Sequence, residues 1–345
     1  MNDDRPKTDQ PLLVRWLAAT TCLRGRDHER AGTPCEDRLE ATEHDDAQAI
    51  VLADGAGSAR LAELGARHVA QTASASLAHR FDELFALGSN GLADALLGEL
   101  REQIARVAED HRAAREELAA TLLFVAVKAG RFIAGNLGDG VVGCARGGEH
   151  AVLCAPQRGE FATQTFFVTS RDAAERIKVA VGPVGDIDTF VLMTDGAAQI
   201  LHDRRAGQLA PAVMTIASWL DAHPQRTASD ALTANLIRLR GGRTGDDCSV
   251  AVIRRVAMSV DTLRSESPAY KRDFLRCGTV IGADNRLSVA SACLSPASPP
   301  PDALAVSREV GLAPATVRGH LRAIRRLQPD LAPPGVAAAG SSDMA

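Results

Sequence analysis

Val51-Leu-Ala-Asp-Gly-Ala-Gly-Ser58 joins an apolar run to an abrupt turn, and its reading decides the fold. Ala47-Gln-Ala-Ile-Val-Leu-Ala53 has the length and apolar content of a buried strand. Asp54-Gly55-Ala56-Gly57-Ser58 stops it, and from Leu61 to Leu77 small and apolar residues recur at helical spacing. The same punctuation returns along the chain. Thr189-Phe-Val-Leu-Met-Thr194 runs into Asp195-Gly196, and the strand candidates Phe132 to Asn136 and Val141 to Ala145 bracket Asp139. The polar loop Gly241-Gly-Arg-Thr-Gly-Asp-Asp247 leads into a strand from Cys248 to Ile253. One Asp-Gly after a strand is an ordinary turn; acidic residues wherever buried strands stop form a pattern.

Outward from this frame, Leu12 to Leu23 reads as a first strand broken at Gly25-Arg26-Asp27, with a loop from there to Ala47. Leu92 to Glu117 reads as a helix, Thr121 to Val127 and Phe166 to Thr169 as strands, and Ala212 to Leu220 and Ser229 to Leu239 as helices. Short gaps between successive strands imply antiparallel hairpins. Helices grouped between such runs predict an α+β architecture of stacked sheets with helices outside.

Strands that share a sandwich can bring their ends together. Carboxylates about 4 Å apart repel by roughly 4 kcal/mol per pair at an effective dielectric near 20, and a cation relieves that conflict. Oxygen-only ligands select Mg²⁺, Mn²⁺ or Ca²⁺ over zinc, and glycine beside an Asp lets the backbone, including the Gly55 carbonyl, approach closely. Two such ions can make water a nucleophile toward a phosphoryl group.

Pro34-Cys35-Glu36-Asp37, Val51 to Ser58, Gly138-Asp-Gly140, Thr194-Asp-Gly196 and Gly245-Asp-Asp-Cys-Ser-Val250 occur in that order. Together they resemble the metal-dependent protein phosphatases, also called PPM or protein phosphatase 2C type. Gly25-Arg-Asp-His28 and Gly159 to Thr169 are similar to a bacterial branch. The resemblance covers about Leu12 to Arg255 and implies an αββα four-layer sandwich of two mainly antiparallel sheets flanked by helices. It further implies a serine/threonine phosphatase using two Mn²⁺ or Mg²⁺ ions, with a phosphorylated protein as substrate and a cognate Ser/Thr kinase as its opponent; the polar stretch Met1 to Gln10, which lacks the apolar run of a signal peptide, makes the cytoplasm the expected location. By the resemblance Asp54 bridges the ions, the Gly55 carbonyl binds one, Asp195 and Asp246 bind the other, and Glu36 and Asp37 hold ligands or metal waters. Asp139 matches a position that, with the Asp195 counterpart, holds a looser third ion.

Two departures stand out. Ala56 occupies the place of the usual general-acid His, which leaves His28 as the candidate substitute or as an uninvolved surface group. Gly32 lies where the family commonly has its phosphate-binding Arg. Arg26 is the candidate replacement, with Arg30 and Arg38 as alternatives. These departures keep a second function open, a catalytically impaired phosphatase fold that serves as a regulatory or binding module.

Composition sets the remaining bounds. The 345 residues exceed the usual size of one domain. They predict a phosphatase domain over 12–255, an irregular linker over 256–301, a helical segment over 302–328 and a disordered tail over 329–345. A net charge of −4 and 3% aromatics argue against a globally basic nucleic-acid binder or a stacking platform for single strands. No apolar run reaches the length of a membrane span. Seven cysteines without a CxxC pair suit reduced thiols better than a disulfide scaffold or zinc site. Val317, Leu321, Ile324 and Leu327 share one helical face, with Arg318, Arg322, Arg325 and Arg326 largely elsewhere. This small helical extension is similar to a helix-turn-helix DNA reader. The favoured reading is an amphipathic terminal hairpin that packs on protein, with DNA as the second choice.

Overall fold

A computed structural model of the chain describes residues 12–157, 165–259, 266–267 and 269–270. The chain divides into two units, Trp16–Val256 and Met1–Arg15 with Ala257–Ala345; of the second, only 12–15, 257–259, 266–267 and 269–270 are described. The helical segment expected over 302–328 and the tail over 329–345 lie outside the described residues, as does nearly all of the expected linker.

In chain order the elements are β1 (Leu12–Leu23), α1 (Arg26–Ala31), β2 (Asp37–His44), β3 (Ala47–Asp54), α2 (Ala62–His79), α3 (Phe81–Ala86) and α4 (Gly88–Asp110). β4 (Leu122–Lys128), β5 (Arg131–Leu137), β6 (Val141–Arg146), β7 (Glu149–Cys154), α5 (Ala173–Arg176), β8 (Lys178–Pro183) and β9 (Ile187–Met193) come next. The chain then forms α6 (Asp195–Leu201), the two-residue strands β10 (His202–Asp203) and β11 (Gln208–Leu209), α7 (Ala212–Ala222), α8 (Gln225–Leu239) and β12 (Cys248–Ser259).

Two five-stranded sheets, ordered β1-β12-β9-β6-β7 and β2-β3-β4-β5-β8, form the centre. The pairings along β2, β3, β4, β5 and β8 are antiparallel, as are those of β12, β9, β6 and β7. Alternation along the strands explains the layering. Ala49, Val51 and Ala53 of β3 and Leu122, Phe124 and Ala126 of β4 pack toward Val69, Ala73 and Leu77 of α2 and Leu96 and Leu100 of α4. Ile50 and Leu52 of β3, with Leu123 and Val125 of β4, turn the other way, to meet Trp16, Val142, Phe190 and Leu192 of the facing sheet. β3 is therefore apolar on both faces, and each large side chain so buried contributes about 1.5–3 kcal/mol. On the far side α8 closes the edge of the sheet at β1. Gln225 Oε1 accepts the Ala18 backbone N–H at 2.6 Å, and Ser229 Oγ accepts that of Thr20 at 3.0 Å. This is the expected αββα sandwich.

Several local expectations need correction. The stretch read as a loop before Ala47 contains α1 and the whole of β2, whose register with β3 runs from Asp37↔Asp54 to His44↔Ala47. The helix expected to reach Glu117 ends at Asp110, and a 3-10 turn occupies Arg115–Leu118. Phe166 to Thr169 is no strand. Ser170 donates its N–H to Phe167 O at 2.9 Å and returns its Oγ to Phe167 N at 3.0 Å, so the chain turns while Phe166 and Val168 enter the helix-side core. β12 runs past the strand end read at Ile253, to Ser259.

Candidate functional site

At one end of the sheet pair, β3, β5 and β9 finish and β2 and β12 begin. Glu36, Asp54, Asp139, Asp195 and Asp246 converge there on one cavity of about 180 Å³, together with His28, Gly55 and Thr121. Residues 210 positions apart in the chain, from Glu36 to Asp246, thus share one space.

Local chemistry fixes each side chain. Asp54 closes β3, with its N–H held by Thr121 Oγ1 at 2.9 Å and its carbonyl accepting Thr121 N at 2.8 Å. Gly55 is required here, because a Cβ would stand 2.6 Å from the Ala62 carbonyl oxygen. Asp139 sits in the β5–β6 connection. Asn136, buried beneath, donates Nδ2 to Gly140 O at 2.8 Å, and Thr165 Oγ1 donates to Asp139 Oδ2 at 2.9 Å. Asp195 is the first residue of α6 and is followed by Gly196, where a Cβ would lie 2.1 Å from Asp247 O. That contact presses α6 against the entry to β12.

The two acidic residues before β12 divide the work. Asp246 faces the cavity. Asp247 turns inward: its Oδ1 accepts Gly25 N at 2.5 Å and its Oδ2 accepts Glu36 N at 2.6 Å and Asp37 N at 3.4 Å. His28 Nδ1 lies 3.0 Å from Asp247 Oδ1, which leaves Nε2 toward Glu36, 3.9 Å from Oε2. Asp37 is wholly buried and stands outside the cavity lining. It accepts Thr194 Oγ1 at 2.9 Å, and Thr194 Oγ1 in turn accepts Ser249 N at 3.0 Å. This inner relay through Asp37, Thr194, Ser249 and Asp247 links three of the motifs quoted above, and only folding brings its members together.

Of the expected site residues, Arg26 joins Asp37 outside the cavity lining. Its guanidinium donates Nη2 to Thr244 O at 3.1 Å and stands outside the cavity lining. One nitrogen of the guanidinium is thus spent on a carbonyl inside the polar loop 241–247, away from the cavity lining. Arg30 pairs with Asp27 at 3.1 Å, and Arg38 is engaged by Glu63 and the carbonyls of Cys35 and Asp37. Among the described residues that line the cavity there is no Arg or Lys.

The electrostatics are those of crowded acids. Burial, and after it the charges of Asp37, Asp195, Asp246 and Asp139, raises the Asp54 carboxyl well above its usual range. Burial with Asp246 and Asp139 pushes Asp195 up to about 6. Asp246 and Glu36 are also raised, chiefly by burial. Asp247 goes the other way: burial works against its charge, but the N–H groups of Gly25 and Glu36 and the His28 ring outweigh it and lower it. For His28, burial disfavours the charged ring, but Asp247 and then Glu36 prevail and raise it.

These residues fit a pair of hard divalent cations. Glu36 Oε2 is buried and accepts no hydrogen bond, the donors are all oxygens, and their mutual repulsion is what a cation removes. Among the described residues no three His, Cys, Asp or Glu side chains already converge in a geometry that could hold an ion.

Comparison with known proteins gives the family and the fold. The family model for protein phosphatase 2C matches residues 24–236, a span that includes Glu36, Asp54, Asp139 and Asp195 and stops short of Asp246. Serine/threonine-protein phosphatase 3 of Escherichia coli (strain K12) is 26% identical over 196 residues, 54% of this chain and 76% of the relative. The S. agalactiae serine/threonine phosphatase structure superposes with a TM-score of 0.50 at 16% identity, over 70% of this chain and 99% of that one. Serine/threonine phosphatase Stp1 from Staphylococcus aureus gives 0.50 at 12% identity, over 69% and 94%. The two structures share the fold. No helix among the described residues is long and apolar enough to cross a membrane.

Proposed function

The chain belongs to the protein phosphatase 2C family of serine/threonine phosphatases, and on that premise we propose that it hydrolyses phosphoserine and phosphothreonine in proteins, using two Mn²⁺ or Mg²⁺ ions. The observation that carries this is the convergence of Glu36, Asp54, Asp139, Asp195 and Asp246 on one cavity. When bound, the ions supply Lewis-acid polarisation of the phosphoryl group and a water nucleophile competent near neutral pH.

Asp54 and the Gly55 carbonyl would hold one ion, Asp54, Asp195 and Asp246 the other, and Asp139 with Asp195 a looser third. Glu36 would hold a ligand water, while Asp37, buried beneath, orients Thr194 and the strand ends. His28 is anchored through Nδ1 by Asp247, so its Nε2 can carry a proton for the departing serine or threonine oxygen. The substrate implies an opposing Ser/Thr kinase, and residues 12–255 would form the catalytic domain.

Manganese-dependent release of phosphate from a phosphopeptide, abolished by EDTA and by Asp54→Ala or Asp195→Ala with circular dichroism unchanged, is the expected result. Inactivity with either metal across several phosphopeptides would overturn the reading. One observation supports a second function: with no Arg or Lys among the described cavity residues and Ala56 in place of the family His, the chain could act as a binding module. Calorimetric titration with Mn²⁺ in parallel with the assay separates the two, since a module of that kind binds without turnover.

A further inference from the structure

Cys22, in β1, and Cys35, in the segment that leads into β2, lie 13 residues apart in the chain, and their sulfurs stand 3.7 Å from one another. Both thiols also face one acceptor, the Asp37 carbonyl oxygen, at 3.4 Å from Cys22 Sγ and 3.7 Å from Cys35 Sγ. Cys22 is exposed and Cys35 half-buried, whereas Cys144, Cys154 and Cys248 are buried. No CxxC motif marks this pairing in the sequence; the crossing of β1 and the β2 entry creates it.

We propose that Cys22 and Cys35 form a reversible disulfide under peroxide, a covalent modification site whose closure slows hydrolysis. The step balances as two thiols plus hydrogen peroxide giving one disulfide and two waters. One sulfur attacks a peroxide oxygen, the O–O bond breaks and water leaves, giving a sulfenic acid. The second sulfur then displaces that hydroxyl as water, forming the S–S bond. Two electrons pass from the sulfurs to the peroxide, and a dithiol reductant returns them by exchange. The sulfurs must close from 3.7 Å to about 2.05 Å. Exposure of Cys22 admits the oxidant, while burial shields Cys144, Cys154 and Cys248.

Closure reaches the catalytic cavity through the neighbour of Cys35. Glu36, the next residue, lines the cavity, and its N–H is tied to Asp247 Oδ2 at 2.6 Å. Drawing Cys35 toward β1 shifts Glu36 against that tether. Misplacement of order 1 Å in such a site costs up to about a hundredfold in rate; a fall of about tenfold is expected here. This second effect rests on the proposed hydrolytic function, whereas disulfide formation does not.

The test treats the full-length protein with hydrogen peroxide and maps its peptides without reduction. The expected result is a cross-linked peptide pair that joins Cys22 to Cys35, lost on dithiothreitol treatment and absent from Cys22→Ser. Cross-links confined to other cysteines, or only sulfinic and sulfonic acids at Cys22, would overturn the site. In the same samples, phosphatase activity should fall about tenfold and recover with dithiothreitol, while Cys22→Ser stays insensitive. A mapped disulfide with unchanged activity would refute the coupling to Glu36 and leave the site standing. A protein inactive before treatment would fail the hydrolytic reading alone, and the peptide map still decides the disulfide.

Discussion

Asp195→Asn tests the claim that the carboxylates conflict until a cation joins them. Burial, Asp246 and Asp139 push Asp195 from its ordinary 3.8 up to about 6. At about 1.4 kcal/mol per tenfold change in proton affinity, keeping that carboxylate ionised costs the ion-free fold about 3 kcal/mol at pH 8. The sign comes from proton binding. Because the folded value lies above the unfolded one, the native state holds more protons between about pH 4 and 6, so stability falls as pH rises through that window. Asparagine keeps the shape and the acceptor oxygen without the charge. In EDTA near pH 8 the variant should therefore melt about 6–12 °C above wild type, at about 2–4 °C per kcal/mol for a domain of this size, and the advantage should dwindle toward pH 4. Adding Mn²⁺ to a hundredfold excess over its dissociation constant stabilises wild type by about 3 kcal/mol, which should cancel or reverse the order. Differential scanning fluorimetry across pH, with and without Mn²⁺, reads both effects. An ion-free variant no more stable than wild type near pH 8, or one equally favoured near pH 4, would refute the reasoning.

The same geometry makes three other substitutions informative. Asp247→Ala strips acceptors from the Gly25 and Glu36 N–H groups and should cost about 2–6 kcal/mol in urea unfolding, at about 1–3 kcal/mol for each buried donor left unpaired; a loss below about 1 kcal/mol would mean that water replaces them. Gly196→Ala places a methyl 2.1 Å from Asp247 O, so urea unfolding should show a loss of about 2 kcal/mol or more together with weakened Mn²⁺ binding by calorimetry. Arg26→Ala should change kcat/KM by less than about threefold, because its guanidinium serves Thr244 O and not the cavity; a rise in KM with kcat unchanged would restore it as a substrate anchor.

The sheets were legible in the sequence where strands are buried on both faces. Ala47 to Ala53 is almost continuously apolar, and Asp-Gly marks its end, so pattern and punctuation agree. β2 escaped notice because Asp37-Arg-Leu-Glu-Ala-Thr-Glu-His44 is only partly buried; its extended form comes from pairing with β3 along eight residue pairs, which no local pattern encodes. Phe166 to Thr169 misled for the opposite reason. Aromatic and β-branched residues favour strands, but here a hydroxyl from Ser170 turns the backbone and the same side chains fill a core. In the cavity, Asp54, Asp139, Asp195 and Asp246 were readable because each lies directly after or before a strand. That Asp37, Thr194 and Ser249 join in an inner relay was not, because nothing in the motifs that hold them signals the pairing and 157 positions separate Asp37 from Thr194. The position of Arg26 outside the lining was not legible either, because nearness along the chain says nothing about which way a guanidinium swings.

The hydrogen bond from Gly25 N to Asp247 Oδ1 spans 222 positions. During synthesis, then, the pocket has no floor until the residues that lead into β12 have left the ribosome. A nascent chain can make every strand of one sheet, β2-β3-β4-β5-β8, and still lack Asp246 and Asp247, the latter the neighbour of His28 and the peg beneath Glu36. Competence to act on a phosphorylated partner would therefore arrive late and all at once, which spares neighbouring proteins from half-made copies.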